Sequence, residues 1–167
     1  MHIEAYAACE RFYDTYLKDL VGGVVKNSVL DVGSYNVNGT LKPLFFEELW
    51  DYVGMDNEAG TNVDVVRHTI DFPFADNRFD VAVTTSALEH DSTFWLSIFE
   101  MARVVKPGGW VYLCAPSQGA YNAYPIDCYR FFEDAWRAFD GVNGLSLIET
   151  WQAGGYYNDS IGVFHKV

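Results

Sequence analysis

The chain has 167 residues, enough for one domain with its own core and too few for two ordinary ones. Half of them are hydrophobic and 17% are aromatic, which excludes a disordered tail. The formal net charge of -12, from 23 acids against 11 Lys and Arg, argues against a surface built to grip nucleic-acid phosphates. Cys9, Cys114 and Cys128 are odd in number and in no metal-ligand spacing, so reduced thiols and no metal are expected. The amino-terminal residues lack the basic and apolar pattern of a secretory leader, and no apolar run approaches the roughly 20 residues that cross a bilayer. A cytoplasmic protein is expected.

Taken in order, residues 3 to 20 space Tyr6, Cys9, Phe12, Tyr13, Tyr16, Leu17 and Leu20 three and four apart, which predicts an amphipathic helix ended by Gly22-Gly23. Ser28 to Val32 reads as a short buried strand with an acid, Asp31, near its end. It runs into a turn bounded by Gly33 and Gly39, where bare backbone lets the chain bend sharply and approach a ligand. Leu41 to Glu48 predicts a further helix. Trp50 to Asp56 is the second strand and also ends in an acid, one β-α-β unit after the first loop, where nucleotide-binding folds place a carboxylate for ribose hydroxyls.

Val63 to Arg67 predicts a third strand, Asp71 to Asn77 a polar loop, and Phe79 to Thr85 a fourth strand rich in β-branched residues. Ser86 to His90 leaves that strand on the face where the first loop also emerges. Helical spacing then runs from 93 to 105 and is stopped by Lys106-Pro107-Gly108-Gly109. Trp110 to Ala115 is the fifth strand. The aromatic and polar segment 121 to 132 leads into a helix through Trp136 and Phe139, and Leu145 to Trp151 with Ser160 to His165 reads as an antiparallel strand pair. Such alternation predicts an α/β fold, a doubly wound and mainly parallel sheet of seven strands, with helices on both faces and a terminal antiparallel hairpin.

Several ordered motifs lie along this frame: Val29-Leu30-Asp31-Val32-Gly33-Ser34, Tyr52-Val53-Gly54-Met55-Asp56, Phe72-Pro73-Phe74 with Asn77-Arg78-Phe79-Asp80, Ser86-Ala87-Leu88-Glu89-His90, and Glu100-Met101-Ala102-Arg103-Val104-Val105-Lys106-Pro107-Gly108-Gly109. In order and spacing they resemble the class I S-adenosylmethionine-dependent methyltransferases, from residue 28 to about 132. The resemblance implies a single Rossmann-like domain over 1–167 that binds S-adenosyl-L-methionine. It places Asp31, Gly33, Ser34, Tyr35 and Gly39 against the methionine part, Asp56 on the ribose, His68 and Thr69 at the adenine, and Ser86 at the end of the fourth strand. His68 stands where many relatives have Asp, and the Ser34 to Asn38 loop is bulkier than the usual Gly-rich turn.

Methyl transfer asks the protein to align the nucleophile and, where it carries a proton, to remove it. His90 is the candidate base; the alternative is that Glu89-His90 orients the helix that follows. Tyr124, Asp127 and Arg130 fall in a segment that in relatives covers the substrate side, although Asp127 and Arg130, three apart, also suit pairing with each other. The acceptor is expected to be a small molecule or a sugar-like group. Two other functions share these residues: a non-catalytic cofactor-binding or structural domain, and a nicotinamide-dependent oxidoreductase, against which stands the absence of Gly-x-Gly-x-x-Gly.

Overall fold

The computed structural model of the protein describes residues 2–21, 23, 25–67 and 70–167. Helix α1 covers Ile3–Phe12, followed by strands β1 (Asn27–Val32), β2 (Trp50–Asp56), β3 (Val65–Val66) and β4 (Phe79–Thr85). Helix α2 (Phe94–Val104) leads into β5 (Val105–Ala115), and α3 (Glu133–Arg137) precedes β6 (Leu145–Gln152) and β7 (Ser160–Lys166). The seven strands form one sheet in the order β3-β2-β1-β4-β5-β7-β6. Its first five are mutually parallel, and β7 is antiparallel to both β5 and β6, so the expected architecture and its terminal hairpin are observed.

Both faces of the central strands are covered, and the period-2 alternation of a strand sorts their side chains between two cores. Val29, Val81, Val83 and Tyr112 face one way and pack with Phe12, Leu17, Phe45 and Trp50. Leu30, Val32, Ala82, Val111 and Leu113 face the other way and pack under Ile98 and Met101 of α2 and Trp136 of α3.

Four expectations are corrected. The first helix is α-helical only to Phe12; Tyr13–Leu17 widens into a π turn, with the Lys18 N–H reaching the Tyr13 carbonyl at 3.1 Å. Thr15 Oγ1 donates back to the Arg11 carbonyl at 2.7 Å, which competes with the regular ladder there. Gly22, the first half of its predicted stop, lies outside the described residues. Leu41 to Glu48 is no helix beyond one 3-10 turn, Lys42–Leu44, because the chain leaves helical geometry at Phe45, with φ -106° and ψ 76°. Leu41, Leu44 and Phe45 are nonetheless buried, so their spacing reports burial and not a helix.

The third strand is cut to Val65–Val66, since Asp64 turns its carboxylate to the Gly54 N–H at 2.8 Å. Finally, Lys106-Pro107-Gly108-Gly109 does not separate α2 from β5. It bulges within β5: Phe79 pairs with Val105 and Val81 with Trp110, and Gly108 takes the positive φ, +81°, that the excursion needs.

Candidate functional site

The parallel strands end their carboxyl termini along one edge, and the loops leaving β1, β2 and β4 form a cleft of about 400 Å³ there. The first wall is the loop after β1. The N–H groups of Gly33 and Ser34 both donate to the Met55 carbonyl, at 2.9 and 3.1 Å, which folds the loop back over β2. Gly33 has φ +82°, and a Cβ there would stand 2.3 Å from the Ala87 Cβ, so only glycine lets the β1 and β4 loops close together.

Asn62 fastens this loop from below. Its side-chain amide is shared among the Ser34 carbonyl, Thr40 Oγ1 and the Tyr52 hydroxyl, at 3.1, 2.9 and 2.8 Å. The Tyr52 hydroxyl in turn donates to Asp31 Oδ2 at 2.5 Å. Asp31 is 4% exposed, and burial pushes its carboxyl up to about 7, against the lowering effect of the Tyr52 hydrogen bond and with a smaller upward push from Asp56. Burial, and then the neighbouring Asp31, likewise raise the Tyr52 phenol, so the proton between the two stays on Tyr52.

Asp56 closes β2. Its Oδ2 accepts the Tyr35 N–H at 3.0 Å and its Oδ1 the Glu58 N–H at 3.2 Å, which fixes the carboxylate and leaves a lone pair free on each oxygen. Gly39 marks the far end of the loop, with φ +137° and its N–H on Asn36 Oδ1 at 2.9 Å.

The second wall is the chain leaving β4. Ser86 adopts φ +53°, uncommon for a residue with a Cβ, and the buried Thr85 Oγ1 and Ser86 Oγ have no hydrogen-bond partner among the described residues. A 3-10 turn, Leu88–His90, follows. His90 Nδ1 donates to the Ile126 carbonyl at 2.6 Å, which leaves Nε2 of the neutral ring as the acceptor, 3.7 Å from Glu89 Oε1. The Glu89 side chain is buried with Oε2 unpartnered; desolvation, opposed by a hydrogen bond from its own backbone N–H and more weakly by Arg130, and with Asp159 and Asp127 adding to it, pushes its carboxyl up to about 8. The Glu89 carbonyl accepts the Cys128 and Tyr129 N–H groups, at 2.7 and 3.3 Å, and so moors the 117–132 segment beside the cleft.

Asp31, Gly33, Ser34, Tyr35, Gly39, Asp56, Ser86, His90 and Tyr124 all line this cleft. His68 and Thr69, the residues expected at the adenine, lie outside the described residues. Asp127 and Arg130 do not line it among the described residues. They form a two-pronged ion pair, Nη1 to Oδ1 at 2.6 Å and Nη2 to Oδ2 at 2.7 Å, in which the guanidinium also holds the Ala120 and Tyr129 carbonyls. Arg130 holds the Asp127 carboxyl down to about 2, and the pair braces the segment that carries Tyr124.

Sequence reasoning missed Asn62 and Tyr52, which shape the loop, and His2, Tyr157 and Asp159, which line the cleft. The His2 Nε2 meets the fully buried Asp159 Oδ2, and its ring stacks on Tyr157 with centroids 4.7 Å apart. The one available signal was an acid, Asp159, directly before an apolar strand, the mirror of the acids that end β1 and β2.

Residues 31–113 match the family model described as a methyltransferase domain. The chain carries a methyltransferase domain. Solved structures agree in fold. A methyltransferase in complex with the Haloferax volcanii Trm112 methyltransferase activator is 16% identical with a TM-score of 0.67, over 98% of this chain and 96% of that one. A SAM-dependent methyltransferase from Aquifex aeolicus is 17% identical with a TM-score of 0.65, over 97% and 98%. The Burkholderia thailandensis 1,6-didemethyltoxoflavin-N1-methyltransferase, solved with its substrate and S-adenosylhomocysteine, is 12% identical with a TM-score of 0.70, over 99% and 85%. No curated protein matches the chain in sequence. Strand order, sheet directions and the cleft at the carboxyl edge are those of the class I methyltransferase fold. Among the described residues, no helix is long and apolar enough to cross a membrane.

Proposed function

We propose that residues 1–167 act as one domain that binds S-adenosyl-L-methionine and transfers its methyl group to a small-molecule or sugar-like acceptor. The observation that carries this reading is the convergence of Asp31, Gly33 and Asp56 in a single cleft at the ends of β1 and β2. The residues present fit the cofactor. Asp56 is fixed by two backbone N–H groups yet keeps an acceptor lone pair on each oxygen for a ribose diol. The Thr85 and Ser86 hydroxyls are buried and unspent, and the Gly33 turn presents bare backbone where a methionine moiety would pack. The volume of about 400 Å³ falls within the range of small-molecule pockets.

The bound cofactor supplies an already activated methyl group on its sulfonium. Everything else falls to the chain. Asp31, half-protonated near neutral pH in the free protein, ionises when an ammonium arrives, and Tyr52 holds its carboxylate in place. The 117–132 segment, moored on the Glu89 carbonyl, closes one side of the cleft with Tyr124 and limits water. His90 Nε2, left as an acceptor by the bond from Nδ1 to Ile126, is oriented to take a proton from an acceptor hydroxyl or amine.

Isothermal titration with S-adenosylmethionine tests the reading. Saturable binding is expected in the wild type, and Asp56→Ala weakens it by at least about tenfold, the loss that follows removal of charge-assisted hydrogen bonds. No saturation at millimolar ligand, or equal affinity in Asp56→Ala, contradicts it.

A further inference from the structure

Among the described residues, the walls of the cleft carry five carboxylates, on Asp31, Asp56, Glu89, Asp91 and Asp159, and neither Lys nor Arg. Three are accounted for. Asp31 accepts the Tyr52 hydroxyl, and Asp56 accepts the Tyr35 and Glu58 N–H groups. Asp91 spends its oxygens on the Thr93 N–H, the Thr93 hydroxyl and Ser97. Glu89 and Asp159 are the remainder, and they feel each other's charge. Each is at least nine-tenths buried, each lines the cleft, and each has one oxygen without a partner, Glu89 Oε2 and Asp159 Oδ1.

The groups packed around them leave one oxygen of each without a donor among the described residues. Arg130 is the guanidinium that acts on Glu89; its two Nη atoms are committed to Asp127, and its buried Nε makes no hydrogen bond to Glu89. His90 Nε2 stands 3.7 Å from Glu89 Oε1, beyond a hydrogen bond. His2 meets only Oδ2 of Asp159. Two buried acids with unspent oxygens are costly to hold unless a donor arrives for them, and a cation satisfies both their charge and their lone pairs.

We propose that the acceptor bound by this cleft carries a protonated amine, held by Glu89 and Asp159, and that the cleft excludes acceptors bearing phosphate or carboxylate beside them. The acceptor role rests on the methyltransferase reading, but the cation site stands on the two carboxylates themselves. Because burial keeps Glu89 protonated near neutral pH, an arriving ammonium displaces that proton. A hydroxyl leaves it in place.

Three probes of one shape separate the outcomes: phenethylamine, phenethyl alcohol and hydrocinnamate, whose ring suits a cleft lined by Tyr35, Tyr124 and Tyr157. Each is titrated calorimetrically into the free protein and into protein saturated with S-adenosylhomocysteine, at neutral pH in two buffers of different ionisation enthalpy. The amine saturates, releases a proton, and binds at least about tenfold tighter than the alcohol, while hydrocinnamate gives no binding. Glu89→Gln abolishes the proton release and weakens the amine by roughly tenfold, with S-adenosylhomocysteine affinity changed by less than about twofold. Asp159→Asn gives a second, independent loss of amine affinity, and circular dichroism melting checks that both variants fold.

An alcohol or hydrocinnamate that binds as well as the amine overturns the proposal. So does an absence of amine saturation, or a Glu89→Gln variant that loses S-adenosylhomocysteine as much as amine. Failure of S-adenosylhomocysteine itself to bind overturns the cofactor reading instead, and the titrations of the free protein then still decide the cation site.

Discussion

Replacing Asp31 by Asn should stabilise the free protein at alkaline pH. An unfolded Asp31 ionises near 3.8, whereas in the fold burial pushes it up to about 7. Between those two values the native state holds a proton that the unfolded chain has lost, so stability falls as pH rises through that window and levels off above about 7. The difference of about three units, at about 1.4 kcal/mol per unit, corresponds to about 4 kcal/mol of destabilisation at pH 8; of this, roughly 1.7 kcal/mol has already appeared by pH 5. Asparagine is nearly isosteric, keeps an oxygen for the Tyr52 hydroxyl and does not ionise. Urea unfolding of both proteins without ligand, at about pH 5 and about pH 8, should therefore show the Asn variant gaining roughly 2–3 kcal/mol relative to wild type between the two. Glu89 titrates in both proteins and cancels in the comparison. The variant should bind S-adenosylhomocysteine poorly, since the costly charge is the one its ammonium needs. A relative stability that does not change with pH would show that Asp31 ionises normally, and the desolvation argument would fall.

Gly33→Ala should destabilise the protein by at least about 2 kcal/mol, because an alanine at φ +82° is strained and its Cβ would meet Ala87 at 2.3 Å; a midpoint unchanged in thermal melting would contradict the tight closure of the β1 and β4 loops. Asn62→Ala removes the amide shared by Ser34, Thr40 and Tyr52, and should cost about 1–3 kcal/mol in urea unfolding while weakening S-adenosylhomocysteine. Arg130→Ala should let the Asp127 carboxyl rise from about 2 toward its ordinary range, read by carboxyl NMR titration, and should expose 117–132 to limited proteolysis. An Asp127 that still titrates near 2 would show that something other than Arg130 holds it down.

What the sequence made legible was the set of features that act locally. Val29, Leu30 and Val32 are buried on alternate faces of β1 and the acid and glycine follow at once, so the strand, its turn and its place at the sheet edge could be read from one short run. Strands β2 and β4 and the terminal hairpin were equally plain. Residues 41–48 misled because Leu41, Leu44 and Phe45 are spaced like a helix face but are buried as a loop around Pro43, and periodicity reports burial before it reports geometry. Lys106-Pro107-Gly108-Gly109 misled for a related reason: its residues do break a helix, yet β5 carries them as a bulge opposite β4.

The parts of the site that stayed hidden are pairings across long separations. His2 and Asp159 meet through the docking of α1 against the strand that follows Tyr157, and Asn62 reaches Tyr52 and Thr40 only once the β1 and β2 loops are stacked. Asp127 and Arg130 stand at the opposite extreme, three residues apart, where local spacing allowed pairing or ligand contact and the ion pair with the Ala120 and Tyr129 carbonyls occupies both groups.

The most direct test of the central claim is a crystal structure of the protein grown with S-adenosylhomocysteine. The account predicts ligand density in the cleft with both ribose hydroxyls on Asp56, the amino group beside Asp31 and the methionine part against the Gly33 turn. Density elsewhere on the molecule, or an empty cleft at saturating ligand, would contradict it.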